Sequence, residues 1–169
     1  KTLRFDSVVK YTPGGKRGAV AEAEKRNLGL LLSQTKGCTH FMTMDCDEIY
    51  EPEQIAYVKK DVEENGYEST ACQMLTYYRR PNIVLDPPED YFVPLIYKID
   101  ERRFGMRSSF PVPVDPTRRL EAKKVRLYQR TEIQMHHYSY IRNDIRQKLR
   151  NSSAVVNFQD RLEEIAAYY

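Results

Sequence analysis

The chain has 169 residues, of which 41% are hydrophobic, so it can bury one domain-sized core; its 27 Lys and Arg against 24 Asp and Glu leave a net charge of +3. No apolar run approaches the ~20 residues of a membrane span, and the opening residues 1–6 lack the apolar stretch of a secretory leader. The three cysteines, none in a CxxC pair, exclude a disulfide framework and suit a reducing, cytoplasmic setting.

The small net charge conceals an asymmetry. Residues 41–90 hold 12 Asp and Glu against 4 Lys and Arg, a net of −8, whereas residues 101–150 hold 5 against 13, a net of +8. An acidic half beside a basic half suits a cation held by one and an anion held by the other; ordinary variation of surface charge is the plainer alternative.

In chain order, residues 1–18 show no period, with a turn at Thr12-Pro13-Gly14-Gly15 and a basic Lys16-Arg17 after it. The spacing then predicts a helix over 19–35, with Val20, Ala23, Asn27, Leu30 and Leu31 as its inner face and Gly37 ending it. Arg26 and Gly29 share a face of that helix. A mid-helix Gly costs ~1 kcal/mol against Ala and suits a place where something approaches the backbone closely; by spacing alone Arg26 reads as a solvated surface arginine.

Residues 38–44 form a near-continuous apolar run, the pattern of a buried parallel strand, and stop in Asp45-Cys46-Asp47-Glu48. A loop over 45–50 leads to a second helix over 51–64, with Pro52 at its first position, Ile55, Val58 and Val62 as the buried stripe, and Asn65-Gly66 as the stop. Strands are predicted over 68–78, over 124–128 and over 133–140; a Pro-containing loop at 79–88 precedes an apolar run over 91–99, and the stretch 101–119 is irregular and Pro-broken. A short basic helix over 143–149 and an amphipathic helix with Phe158, Leu162, Ile165 and Tyr169 on one face close the chain.

Asp45 and Asp47 carry the first chemical signal. In an extended chain residues i and i+2 point to one side, and two carboxylates so placed repel unless a cation lies between them. Ligand crevices of open α/β sheets lie at this end of the strands. The pattern therefore reads as a divalent-metal site holding a phosphorylated ligand, or else as a solvated acidic loop whose Asp caps the helix at Pro52. His136 and His137 carry the second signal. Neighbours on a strand face opposite ways, so one of the two can reach a given site, and imidazole suits Mn, Fe or Zn better than Mg or Ca. A hydrogen-bonded structural His is the alternative.

Ala23-Glu24-Lys25-Arg26-Asn27-Leu28-Gly29-Leu30, followed by Gly37-Cys38-Thr39-His40-Phe41-Met42-Thr43-Met44-Asp45-Cys46-Asp47-Glu48, resembles the family 2 glycosyltransferases of the GT-A fold. In that family a helix carrying Arg-Asn-x-Gly-Leu leads into a strand that ends in Asp-x-Asp. The residues Val125 to Arg130 and Met135 to Arg142 are similar to its distal strands and late histidine, so the resemblance spans about residues 20–153. It implies that Asp45 and Asp47 bind a metal, Mn2+ or Mg2+, and through it the diphosphate and sugar. It implies further that Arg26 contacts the nucleotide, that His137 in preference to His136 is the late metal ligand, and that Arg142 meets a phosphate oxygen. The family has a longer segment before its Asp-x-Asp, whereas 44 residues precede Asp45 here. The domain over 1–169 is thus expected to lack its N-terminal part.

The expected architecture is a single α/β domain with a mixed, mostly parallel sheet flanked by helices. The expected function is metal-dependent transfer of a sugar from a nucleotide-sugar donor to a saccharide or lipid-linked acceptor. No transmembrane segment and no nucleic-acid partner are expected, and peripheral contact with a membrane is compatible with the reading. An inverting reaction needs a carboxylate base for the acceptor hydroxyl: Asp90, then Asp115, then Glu89. A helix cap competes for Asp90 and a turn at Asp115-Pro116 for Asp115. The rival functions are a metal-dependent nucleotidyl- or phosphoryltransferase using the same aspartates, and an RNA-binding module built on the Arg- and Tyr-rich second half.

Overall fold

The computed structural model describes residues 9–12, 14–15, 18–150, 152 and 159–168. Its elements, in order, are α1 (Gly18–Thr35), β1 (His40–Met42), β2 (Glu48–Tyr50), α2 (Pro52–Asn65), β3 (Ser69–Tyr78), β4 (Phe92–Lys98), a 3-10 turn at Pro116–Arg118, β5 (Val125–Tyr128), β6 (Met135–Tyr140), α3 (Ile145–Arg150), a second 3-10 turn at Gln159–Arg161, and α4 (Leu162–Tyr168). The fold class is α/β, as expected.

β3 is the central strand. Its Ser69–Met74 half is buried throughout, the pattern of a strand covered on both faces. One edge of β3 pairs with β4; the other pairs first with β5 and then with β6, and β1 and β2 close the two sides in the order β1-β4-β3-β6-β2. The expectation of a mostly parallel sheet is corrected. β1 with β4, β3 with β4 and β2 with β6 are antiparallel, and only β5 and β6 run parallel to β3. The reason lies in the connections. A parallel neighbour needs a crossover, usually helical, but the chain returns from β3 to β4 through the loop 79–91, which has no helix and so delivers an antiparallel neighbour. The run 38–44 is also not a buried parallel strand: β1 is three half-buried residues at the sheet edge, antiparallel to β4.

The main core lies between α2 and the sheet. Val58 and Val62 pack with Cys72, Met74, Val93, Leu95, Tyr128, Ile133 and Met135, and Ile55 packs against the cluster's border, so the stripe read from the sequence is the buried one. Pro52 takes the first helical turn, and Gly66, at φ 63°, ends α2 by donating its N–H to the Val62 carbonyl at 2.8 Å.

α1 sits differently from its predicted orientation. Ala23, Arg26 and Leu30 are the buried positions, while Val20 is 50% and Leu31 45% exposed. Leu30 enters a second core with Tyr97, Phe104 and Leu120. Gly29 serves the close approach its position suggested: a Cβ there would stand 3.2 Å from the Phe41 ring. Among the described residues no helix is long and apolar enough to cross a membrane. Phe158 and Tyr169, assigned to the inner face of the last helix, lie outside the described residues.

Candidate functional site

The carboxyl end of β1 opens into a cleft of about 1120 Å³ whose wall includes Lys25 and Arg26 of α1, Asp45 and Asp47 after β1, Asp115, His137 of β6, and Arg142 and Lys148 near and within α3. Five separate stretches of chain thus converge on one cavity.

The acidic stretch is a tight turn rather than an extended strand end. Glu48 N donates to the Asp45 carbonyl at 3.1 Å, closing residues 45–48, and β2 begins at once with Glu48. The turn separates the two aspartates. The Asp45 carboxylate accepts from Arg118 Nη2 at 2.8 Å and from Arg26 Nη2 at 3.4 Å to each oxygen. Asp47 instead pairs with Arg142 Nη2 at 2.7 Å. Both acids line the cleft, but each answers to its own arginines.

Asp45 belongs to a buried charge cluster. Arg118 is 3% exposed, Glu48 6% and Arg26 7%. Arg118 Nη1 donates to Glu48 Oε2 at 3.2 Å, Arg118 Nη2 closes a second contact to Glu48 Oε1, and Arg26 Nε reaches Thr117 Oγ1 at 3.4 Å. Glu48 Oε2 also accepts the Asp45 backbone N–H at 3.2 Å. Burial works to raise the Asp45 carboxyl, but the Arg118 and Arg26 guanidiniums overcome it and hold it below the usual range. In Glu48 the balance reverses: burial raises the carboxyl above its ordinary value against the pull of the same Arg118. Arg26 is therefore not the solvated surface arginine its helical spacing suggests. It is a buried counter-charge with an edge on the cleft.

The two histidines face opposite ways, as the strand rule requires. His136 Nδ1 shares a hydrogen bond with Tyr77 Oη at 2.8 Å, and Tyr77 in turn stacks on Tyr138 with ring centroids 4.4 Å apart. His137 lines the cleft, is the register partner of Glu48, and has a buried Nδ1 with no hydrogen-bond partner among the described residues. Burial pushes its pKa down, and the nearby Asp47 carboxylate is the strongest charge opposing that. Lys148 is likewise lowered by burial, again opposed by Asp47.

The proposed carboxylate bases separate clearly. Asp115 is on the cleft wall, where its Oδ1 accepts the Thr117 N–H at 2.7 Å and starts the 3-10 turn. Glu89 sits behind His137: it accepts from Thr76 Oγ1, Thr76 is the register partner of His137, and the Glu89 charge acts on His137 and Lys148. Asp90 is exposed, is held by Gln73 Nε2 at 3.5 Å, and is not part of the cleft wall.

For a divalent cation, Asp47 and His137 fit in chemistry. Both residues line the cleft, and a carboxylate oxygen and an imidazole nitrogen are donor types that suit Mn2+. Asp45 is turned toward its arginines, and among the described residues no three His, Cys, Asp or Glu side chains are grouped closely enough to hold a metal ion.

Arg118 and Glu48 were missed by the sequence reading. Glu48 is the residue after Asp-x-Asp and could have been noted as a third acid; Arg118 had no local signal, lying in a Pro-broken stretch 70 residues from its partner. The chain matches no protein-family model, no curated protein and no solved structure.

Proposed function

We propose that the chain is a metal-dependent glycosyltransferase of the GT-A class that binds a nucleotide-sugar donor in this cleft. The observation that supports the reading most is the convergence of Asp45, Asp47, Asp115, His137 and Arg142, named from the sequence and its resemblance, on one cavity beside Lys25 and Lys148. In this reading Asp47 and His137 would hold Mn2+ or Mg2+, and the bound ion would supply Lewis-acid stabilisation of the leaving diphosphate. Arg142, Lys148 and Lys25 offer positive charge to the phosphate oxygens. Asp45, paired with Arg118 and Arg26, accepts hydrogen bonds from hydroxyls of the donor. Asp115 is the carboxylate placed to take the proton of an acceptor hydroxyl, in preference to Asp90 and Glu89. The acceptor is a saccharide or a lipid-linked saccharide.

Calorimetry with UDP, GDP, ADP, CDP and TDP, with and without manganese, tests the binding half of the proposal. The expected result is one preferred diphosphate whose affinity rises with manganese; affinities indifferent to the metal would sink it. Product analysis tests the reaction half. Release of intact nucleoside diphosphate with a glycosylated acceptor supports it, and transfer of a nucleotidyl or phosphoryl group would establish the rival reading.

A further inference from the structure

Glu48 has no part in the chemistry just assigned and Arg118 enters it only through Asp45, yet with Arg26 they are the buried charged side chains among the described residues. Burying ions is expensive, and a well-packed apolar set in the same space is often as stable or more so. Stability therefore does not account for the cluster; its geometry offers another account.

The cluster joins three segments that are far apart in sequence. α1 supplies Arg26, the 45–48 turn supplies Asp45 and Glu48, and the 3-10 turn that follows Asp115 supplies Thr117 and Arg118. The Arg118 guanidinium bridges both acids of the turn with donors from one planar group, a fork that fixes direction as well as distance. The backbone of Arg118 is fixed too, because Tyr97 Oη donates to its carbonyl at 2.8 Å from the second core. Asp45, with 43% of its side chain exposed, is the most exposed member.

We propose that Arg118 is a positioning residue of the cleft. Acting through Glu48 and Asp45, it holds the 45–48 turn, and with it Asp45 and Asp47, at a set distance and angle from Asp115. The inference rests on the functional reading above only for the ligand measurement in its test.

The test uses the paired replacement Glu48→Met with Arg118→Met, which removes both charges together and leaves Asp45 its Arg26. Two readouts are taken beside thermal stability. The first is the mobility of a nitroxide on Cys46, which lies between the two aspartates. Cys38 is changed to Ser, and Cys72 is buried with its thiol pushed up to about 12, so it does not compete for the label. The second is affinity for the diphosphate that the parent binds best with manganese. The proposal expects a folded double variant near the parental melting temperature, a Cys46 spectrum shifted toward the mobile component, and affinity lower by about tenfold, as for lost hydrogen bonds to a charged group. A double variant with parental mobility and parental affinity overturns it, since the cluster would then be structural only.

If the double variant does not fold, Arg118→Lys decides. It keeps the charge but cannot bridge two acids through a planar fork, so a mobile Cys46 label in a folded protein supports the proposal and a parental spectrum refutes it. If the parent binds none of the diphosphates, the functional reading fails, and the spectrum alone judges the positioning.

Discussion

Two clusters in this molecule have the same parts, one arginine between two acids, and opposite settings. Arg118 with Glu48 and Asp45 is buried, with the arginine and Glu48 each 4% exposed at the side chain and Asp45 alone of the three on the cleft wall. Arg102 with Asp100 and Glu68 lies on the surface, where all three side chains are about a quarter exposed. The surface arginine is better served by count: Nε reaches both Asp100 oxygens at 2.8 Å, and Nη1 reaches Glu68 Oε2 and the Glu121 carbonyl at 2.7 Å each. There both carboxyls are held below their ordinary values, Asp100 chiefly by its hydrogen bond from Arg102 and Glu68 chiefly by the Lys123 backbone N–H. In the buried cluster only Asp45 is lowered; Glu48 is raised because burial outweighs Arg118. The number of contacts therefore does not rank these clusters. Water does: it screens the surface set and makes its loss cheap, while its absence around Glu48 and Arg118 makes any unpaired remainder costly.

The largest effect that would test this contrast is Glu48→Ala. It leaves the Arg118 charge buried with only Asp45 for company and should cost about 3–5 kcal/mol in urea denaturation; a loss like that of a surface change would mean water reaches Arg118. Arg26→Ala comes next. Read as a surface residue it should change stability by no more than ~0.5 kcal/mol, but its burial and its bonds to Asp45 and Thr117 call for about 1–3 kcal/mol. The same denaturation series separates the two values.

Arg102→Ala should cost about 0–1 kcal/mol at neutral pH, as exposed ion pairs do, and it also carries a pH signature. Asp100 and Glu68 have lowered carboxyls in the folded chain. Their contribution is present above the ordinary carboxylate range and is lost as pH falls through the lowered folded values. The parent should therefore lose stability on acidification faster than the variant, with the difference confined below about pH 4. Equal slopes in both proteins across that range would remove Arg102 as the cause. The smallest stability effect is expected from Arg142→Ala, at the rim, where the Asp47 pair is 41% exposed on the arginine side. Stability should hold within ~0.5 kcal/mol, while diphosphate affinity falls and loses part of its dependence on salt. Unchanged affinity would take Arg142 out of the cleft's chemistry.

Much of the frame was legible along the chain. The α2 stripe at Val58 and Val62, the Gly66 stop, the long strand ending at Tyr78 and the opposed histidines follow from local rules, namely helical and strand periodicity and the left-handed preference of glycine. Residues of the cleft wall were legible too, because Asp-x-Asp and a late His pair stand out by type. The parallel character of the sheet was overestimated because periodicity describes burial and does not report strand direction, which the helix-free loop 79–91 decided. The face of α1 was misjudged at Val20 and Leu31 because apolar spacing treats every arginine as solvent-facing.

By itself, then, the sequence determined the first two helices, the long central strand and the passage of residues 40–48 from an apolar run into acid, while β2 falls where a loop over 45–50 was expected. Tertiary structure alone decided that Asp45 faces two buried arginines while Asp47 faces a rim arginine and His137. It also decided that Asp115, not Asp90, borders the cleft, and that Arg118 meets Glu48 across 70 positions of chain. The physical reason is range. Periodicity and caps act over a few residues, whereas the charge state and direction of a carboxylate depend on whichever guanidinium shares its low-dielectric surroundings, however distant in sequence.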